Sequence, residues 1–178
     1  MINPITAGIL QAIVPGLDDD KAQEVAGALN PAMEWADIST PPRQAAFIAQ
    51  CAHEADSFKT MREYASGREY EGRGDLGNSE EGDGERFAGR GYIQITGRYN
   101  YAAAGKALGV DLINNPELAE MPQLAGYIAA WYWDSRNLNQ YADAGDFRRI
   151  TKLINGSYNG WDSRVRFWER AKEALGVA

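Results

Sequence analysis

The sequence has one cysteine, one histidine, fewer basic than acidic residues and no apolar run long enough to span a membrane. A single thiol excludes a disulfide framework. Cys51 lies in the alanine-rich run Gln44 to Ala52 and reads as a small buried packing residue. Cys51 and His53 do not make a thiol nucleophile and its base, because residues two apart on a helix point in different directions. The start Met1-Ile2-Asn3-Pro4 lacks the basic region and apolar core of a secretory signal. The expectation is a product made in the cytoplasm without a signal peptide and without stable membrane insertion. A net charge of -7 argues against a nucleic-acid partner, which rewards a basic face. The acidic triplet Asp18-Asp19-Asp20 lacks the later Gly and Glu of a calcium loop and reads as a helix cap. No metal or other cofactor is called for.

A chain of 178 residues with 44% hydrophobic content can bury one core unaided, so residues 1–178 are read as one domain. A helical lead occupies 1–40. Ile5, Ile9, Leu10 and Ile13 follow helical spacing up to the Pro15-Gly16 break, and a second helix is predicted from about Lys21 to Leu29, with Pro31 beyond its end. Packing rather than ligand binding is expected of this lead. Ser39-Thr40-Pro41-Pro42 signals the start of a helix from Arg43 to about Ala55, with Phe47, Cys51 and Glu54 on one side. Residues 66–90 shift to Gly, Glu, Asp, Arg and Asn, which leaves two readings open, a functional loop or a floppy one. Helices are predicted over Tyr99 to Leu108, Leu124 to Trp133, Phe147 to Ile154 and Asp162 to Leu175. The best strand signal is Tyr92-Ile93-Gln94-Ile95. The fold class is mainly α, with at most a small β-hairpin.

His53-Glu54 ends an apolar helix just before the polar turn Asp56-Ser57, delivering a carboxyl group to the rim of a core. Desolvation there suits a general acid. Position alone also allows a solvated helix-end glutamate. Glu63 follows nine residues later; on an unbroken helix the two would lie about 13 Å apart along the axis and on opposite faces. A break after Ala55 would let the pair approach the roughly 6.5 to 9.5 Å of inverting glycosidases. Gly89 to Tyr101 combines glycines with Gln94, Thr96 and Asn100, a mixture that suits sugar hydroxyl and N-acetyl groups, while tyrosine rings can cover pyranose faces.

Ala52-His53-Glu54, Glu63 and the stretch Gly89 to Tyr101 closely resemble glycoside hydrolase family 19, which contains chitinases and phage lysozymes. The resemblance covers 43–178, and Tyr70-Glu71-Gly72-Arg73, Asp75-Leu76-Gly77-Asn78 and Gly82-Asp83-Gly84 look like its phage and bacterial endolysin branch. It implies a lysozyme-like single globular domain with any hairpin near the cleft. It also implies that Glu54 protonates the glycosidic oxygen, Glu63 activates water and Thr96 holds that water, with inversion at the anomeric carbon. His53, Gln94, Asn100 and Asn155 match positions near the cleft, and Tyr64 and Tyr70 are candidates to line the sugar path. Arg73 is a candidate to pair with a carboxylate, Glu54 or Glu63 included; Asp162-Ser163-Arg164 is expected to form a structural ion pair. The activity implied is hydrolysis of the β-1,4 bond between N-acetylmuramic acid and N-acetylglucosamine in peptidoglycan by a monomer acting in the periplasm. A holin-type membrane permeabiliser is its expected functional partner. Chitin hydrolysis and a non-catalytic glycan-binding module are the alternatives.

Overall fold

A computed structural model describes residues 3–177. Among them are nine α-helices: α1 Ala7–Ile13, α2 Asp19–Trp35, α3 Pro41–Glu54, α4 Asp83–Arg86, α5 Arg98–Leu108, α6 Pro122–Asp134, α7 Leu138–Asp143, α8 Phe147–Asn155 and α9 Trp161–Leu175. Every residue of α3 from Gln44 to Ala52 is buried. A helix without a solvated face must be wrapped on all sides. α9 packs along it, α7 meets it from another side, and α1 bridges α2 and α9. The lead therefore packs: Ile5, Leu10 and Ile13 share one apolar cluster with Phe47, Trp133 and Ile150.

Local signals account for most helix ends. The carboxylate of Asp18 accepts from the Lys21 amide at 2.8 Å and caps α2, which is the role read for the acidic triplet. Asp146 caps α8 through the Arg149 amide at 2.9 Å. α5 and α8 end at Gly109 and Gly156, both left-handed.

Two expectations need correction, and one helix is an addition to them. Pro31 lies inside α2, which continues to Trp35. The proline forfeits one backbone bond, but the turn beyond it buries Ala32 and Met33, and that packing holds the helix together. Second, Tyr92-Ile93-Gln94-Ile95 is not a strand. Residues 91–94 turn the chain, and only Arg90 and Ile95 bridge, exchanging bonds of 3.2 and 2.9 Å, while Arg62 bridges Arg90 from the other side. The apolar residues serve the core there; Tyr92 meets Phe58 edge to face at 5.8 Å. The addition is α7, not foreseen because it is six residues long with no side-chain cap.

Residues 66–90 are neither helical throughout nor loosely held. Two 3-10 turns, Arg68–Tyr70 and Gly74–Leu76, precede α4. Asp83 is buried and accepts from the backbone amides of Ser79 and Glu80, each at 3.0 Å, and from the Arg98 guanidinium at 2.6 and 2.8 Å. Those bonds, led by Arg98, hold its carboxyl below the usual carboxylate range. Asn78 ties the same segment to the Tyr70 carbonyl and the Arg98 amide, both at 2.8 Å. The Gly-rich stretch is thus pinned against the start of α5, where it forms one wall of a cleft.

Candidate active site

α3 ends at Glu54, and the chain then reverses through three consecutive left-handed residues, Asp56, Ser57 and Phe58, at φ 45°, 61° and 62°. None is glycine, so each carries the steric cost of that conformation. The Ser57 amide donates to the Ala52 carbonyl at 2.7 Å and the buried Phe58 ring anchors the exit. This reversal is the break that a facing pair of carboxylates requires. The returning chain pairs with Gly89: the Glu63 amide donates to the Gly89 carbonyl at 3.0 Å, and the Gly89 amide donates to Glu63 Oε1 at 2.6 Å. The Tyr70 hydroxyl donates to Glu63 Oε2 at 3.0 Å, and burial together with that bond pushes the phenol up to about 12. Glu63 is thereby fixed through both oxygens.

Glu54 is held from the opposite end of the sequence. Arg164 on α9 is buried, and its Nη2 donates to Glu54 Oε1 at 2.6 Å. The same guanidinium donates to the Gln50 side-chain oxygen and, at 3.0 Å, to the Asn159 carbonyl, while the Gln50 amide donates to Thr151 at 2.9 Å. The expected ion pair at Asp162-Ser163-Arg164 therefore lands on Glu54 itself. Arg73 does not: its partner is Asp75, at 2.5 and 2.8 Å, because two residues of separation on an exposed turn bring that carboxylate to it first.

Glu54 and Glu63 line one cleft of about 460 Å³ together with Tyr70, Gln94, Thr96 and Asn155. Arg73 and Asn100 lie on the same walls. A second hollow of about 270 Å³ shares Glu54, Glu63 and Gln94 and is bordered by His53, Asp56 and Tyr64. The two carboxylates thus stand where two hollows meet. All ten residues singled out from the sequence border this groove.

Gly89 sets the spacing on the Glu63 side. A Cβ built on it would lie 3.0 Å from Gln94 Oε1 and 3.3 Å from both the Glu63 carboxyl carbon and Thr96 Oγ1. The absent side chain is what leaves these three polar groups around a common opening. Thr96 Oγ1 donates to the Gln94 carbonyl at 2.9 Å, and Asn100 donates to the Thr96 carbonyl at 2.9 Å. Gln94, itself left-handed at φ 53°, donates to the Gly91 carbonyl at 2.9 Å and presents its oxygen to the opening.

The remaining candidates are built into the walls. The His53 ring is half-buried, with Nδ1 3.0 Å from Ser163 Oγ, and any side chain at Gly160 would strike it. Burial, reinforced by the Arg164 charge, lowers this imidazole to about 4. Tyr64 stands exposed at the rim, its hydroxyl 2.8 Å from Asp56. Asn155 accepts from Ser157 and the Asn159 amide at 2.9 and 3.1 Å. Sequence reading did not identify Gln50 as a partner of Arg164 or Tyr132 as a wall of the cleft. Both stand inside apolar helical runs, where nothing in the local pattern separates them from core.

The family model "Glyco_hydro_19: Chitinase class I" matches residues 34–143. A glycosyl hydrolase family 19 domain-containing protein of Haemophilus influenzae is 33% identical over 172 residues, covering 79% of this chain and 84% of its own. An endochitinase of Arabidopsis thaliana is 35% identical over 139 residues, covering 75% of this chain but 48% of its own, so the chain spans about half the length of that relative. Among solved structures, a bacterial family 19 chitinase superposes with a TM-score of 0.80 at 24% identity, covering 99% of this chain and 97% of its own. Chitinase C from Streptomyces griseus gives 0.79 at 24% identity, with 98% and 77% covered. At such identities the superpositions show the fold.

Proposed function

The chain belongs to glycoside hydrolase family 19, and from that premise we propose that it is a lysozyme cleaving the β-1,4 bond between N-acetylmuramic acid and N-acetylglucosamine in peptidoglycan. The observation that carries the chemistry is the meeting of Glu54, Glu63 and Thr96 at one cleft with hollows on both sides. Glu54, whose Oε1 accepts from Arg164, carries its proton on Oε2 and gives it from there to the departing glycosidic oxygen as the bond to the anomeric carbon breaks. Glu63, held as an acceptor by the Gly89 amide and the Tyr70 hydroxyl, takes a proton from a water that attacks the opposite face. Thr96 positions that water with its hydroxyl, and the product anomer inverts. Gln94, Asn100 and Asn155 offer amide groups to the sugar, while Tyr64, Tyr70 and His53 border its path.

The preference for peptidoglycan rests on the likeness of residues 70–84 to the endolysin branch. The protein then acts as a monomer on glycan strands in the periplasm. Among the described residues no helix is long and apolar enough to cross a membrane; the endolysin reading assigns access to a separate holin-type permeabiliser. Chitin hydrolysis is the second reading, supported by the endochitinase names of the plant relatives. A non-catalytic binding module would have no need of two fixed carboxylates lining one cleft.

Incubation of the purified protein with peptidoglycan and with chitin, followed by mass spectrometry of the new reducing ends, separates these readings. N-acetylmuramic acid at the new end supports the lysozyme; products from chitin alone support the chitinase; binding without cleavage supports the module. Full activity in Glu54→Gln would overturn the acid assignment.

A further inference from the structure

Five arginines among the described residues are not exposed: Arg43, Arg90, Arg98, Arg136 and Arg164. Four are ion-paired, with Asp37 and Asp143, with Glu120, with Glu80 and Asp83, and with Glu54. Arg136, in the turn after α6, has no carboxylate partner among the described residues. Its guanidinium carbon lies 3.3 Å from the centre of the Tyr132 ring, and Tyr132 is a wall of the catalytic cleft. Nη1 donates to the Tyr132 carbonyl at 3.3 Å and to Ser135 Oγ at 3.0 Å. Among the described residues Nε and Nη2 have no hydrogen-bond acceptor, and neither is fully enclosed, so that edge of the guanidinium keeps access to a partner. The Nε–Nη2 edge is the side-on fork that receives a carboxylate bidentately. Half-burying a cation without its anion is costly, and here burial lowers the guanidinium pKa, while stacking on Tyr132 keeps it in place.

We infer that Arg136 binds a carboxylate on the glycan's side substituent, the lactyl-peptide branch of muramic acid, as the strand passes Tyr132. The inference rests on the lysozyme reading above and gives it a discriminating contact: chitin carries no anionic group, whereas the muramyl branch ends in carboxylates of its peptide or, where no peptide is attached, in the lactyl carboxylate. Arg136 is then a specificity residue for a substituent and takes no part in the bond cleavage.

The test compares the unaltered protein and Arg136→Gln on peptidoglycan and on peptidoglycan whose carboxyl groups have been amidated with carbodiimide and ammonia. Loss of a bidentate charged contact is expected to lower kcat/KM on native peptidoglycan about 10- to 100-fold, chiefly through KM. Amidation should lower the unaltered protein by a similar factor and leave the two proteins nearly equal. The amidation arm needs no variant, so misfolding of Arg136→Gln cannot mimic the result. An equal loss for the variant on both substrates makes Arg136 a structural residue and overturns the inference. So does indifference of the unaltered protein to amidation. If the unaltered protein instead cleaves chito-oligosaccharides and leaves native peptidoglycan intact, the lysozyme reading itself fails, and the role of Arg136 with it.

Discussion

Arg164 and Glu54, 110 residues apart, meet at 2.6 Å, and the arginine is the more deeply buried of the two. The pair fastens the last helix to the end of the central one at the mouth of the cleft. A buried guanidinium already bonded to Gln50 and Asn159 leaves the Glu54 carboxyl little freedom to rotate. The contact therefore orients the proposed acid as well as joining α3 to α9.

Removing either partner should have different consequences. Arg164→Met strands a mostly buried carboxylate and breaks the Gln50 bond, and is expected to cost about 3 kcal/mol of stability with loss of activity. Glu54→Gln keeps an oxygen that can accept from Arg164, so its stability loss should be smaller, about 1 to 2 kcal/mol, while hydrolysis falls by several orders of magnitude. Urea denaturation alongside a turbidity assay on cell walls measures both. Comparable stability losses in the two variants would show that Arg164 contributes little beyond its charge on Glu54.

How far the site could be read in advance follows from sequence separation. Glu54, Gln94, Thr96 and Asn100 lie in contiguous stretches whose residue types announce polar chemistry, and the reversal after Ala55 follows from requiring Glu63 to face Glu54. The Arg164 contact does not follow in the same way. A buried arginine demands a carboxylate, but 25 acidic residues compete for the role and no local period selects Glu54. Arg73 does pair with a carboxylate, but with Asp75, two residues away, and not with Glu54 or Glu63, a choice that local proximity makes and residue type alone does not. Tyr92 to Ile95 failed for another reason: alternating apolar residues describe a strand and the buried tip of a turn equally well, and only the Phe58 ring beneath them decides between the two.

His53 is the sole histidine, so its titration can be followed without assignment ambiguity. Its native pKa, about 4, lies below the ordinary value of 6.5, because burial and Arg164 disfavour the charged ring. The sign follows from linkage: the unfolded chain takes up the proton first as pH falls. The contribution to stability is fully present above pH 6.5 and is lost as pH drops toward about 4. Proton NMR of the imidazole should show a midpoint near 4, and His53→Gln should flatten the decline of the unfolding midpoint across that interval. A midpoint near 6.5 would contradict the packing of the ring against Gly160.

The left-handed run Asp56-Ser57-Phe58 gives a prediction about strain. Each non-glycine residue there costs roughly 1 to 2 kcal/mol, offset by a glycine's greater freedom in the unfolded chain of roughly 0.5 to 1 kcal/mol. Ser57→Gly should therefore raise stability by about 0.5 kcal/mol, whereas Ser57→Val, β-branched at positive φ, should lower it by more than 1 kcal/mol. Chemical denaturation of both variants checks the pair, and a loss of stability in the glycine variant would refute the idea that strain is stored at this turn.

Gly89 tests the opening between Glu63 and Thr96 most directly. The residue is buried, and a methyl group there meets Gln94 Oε1 at 3.0 Å, Glu63 at 3.3 Å and Thr96 Oγ1 at 3.3 Å. Those contacts are tight but leave side chains able to give by a few tenths of an ångström, so Gly89→Ala should fold, at a cost of about 1 to 2 kcal/mol. The methyl fills the space in which the proposed nucleophilic water has to stand. Displacing that water, or the hydroxyl and carboxylate that hold it, by even part of an ångström should reduce kcat on the order of 100-fold, because in-line attack depends steeply on position. The Gly89 amide still donates to Glu63 in the variant, so the loss would come from the filled opening and not from a released carboxylate. Steady-state kinetics with thermal denaturation distinguishes the two cases: a kcat close to that of the unaltered protein, in a folded variant, would place the water elsewhere and leave Thr96 without the role proposed for it.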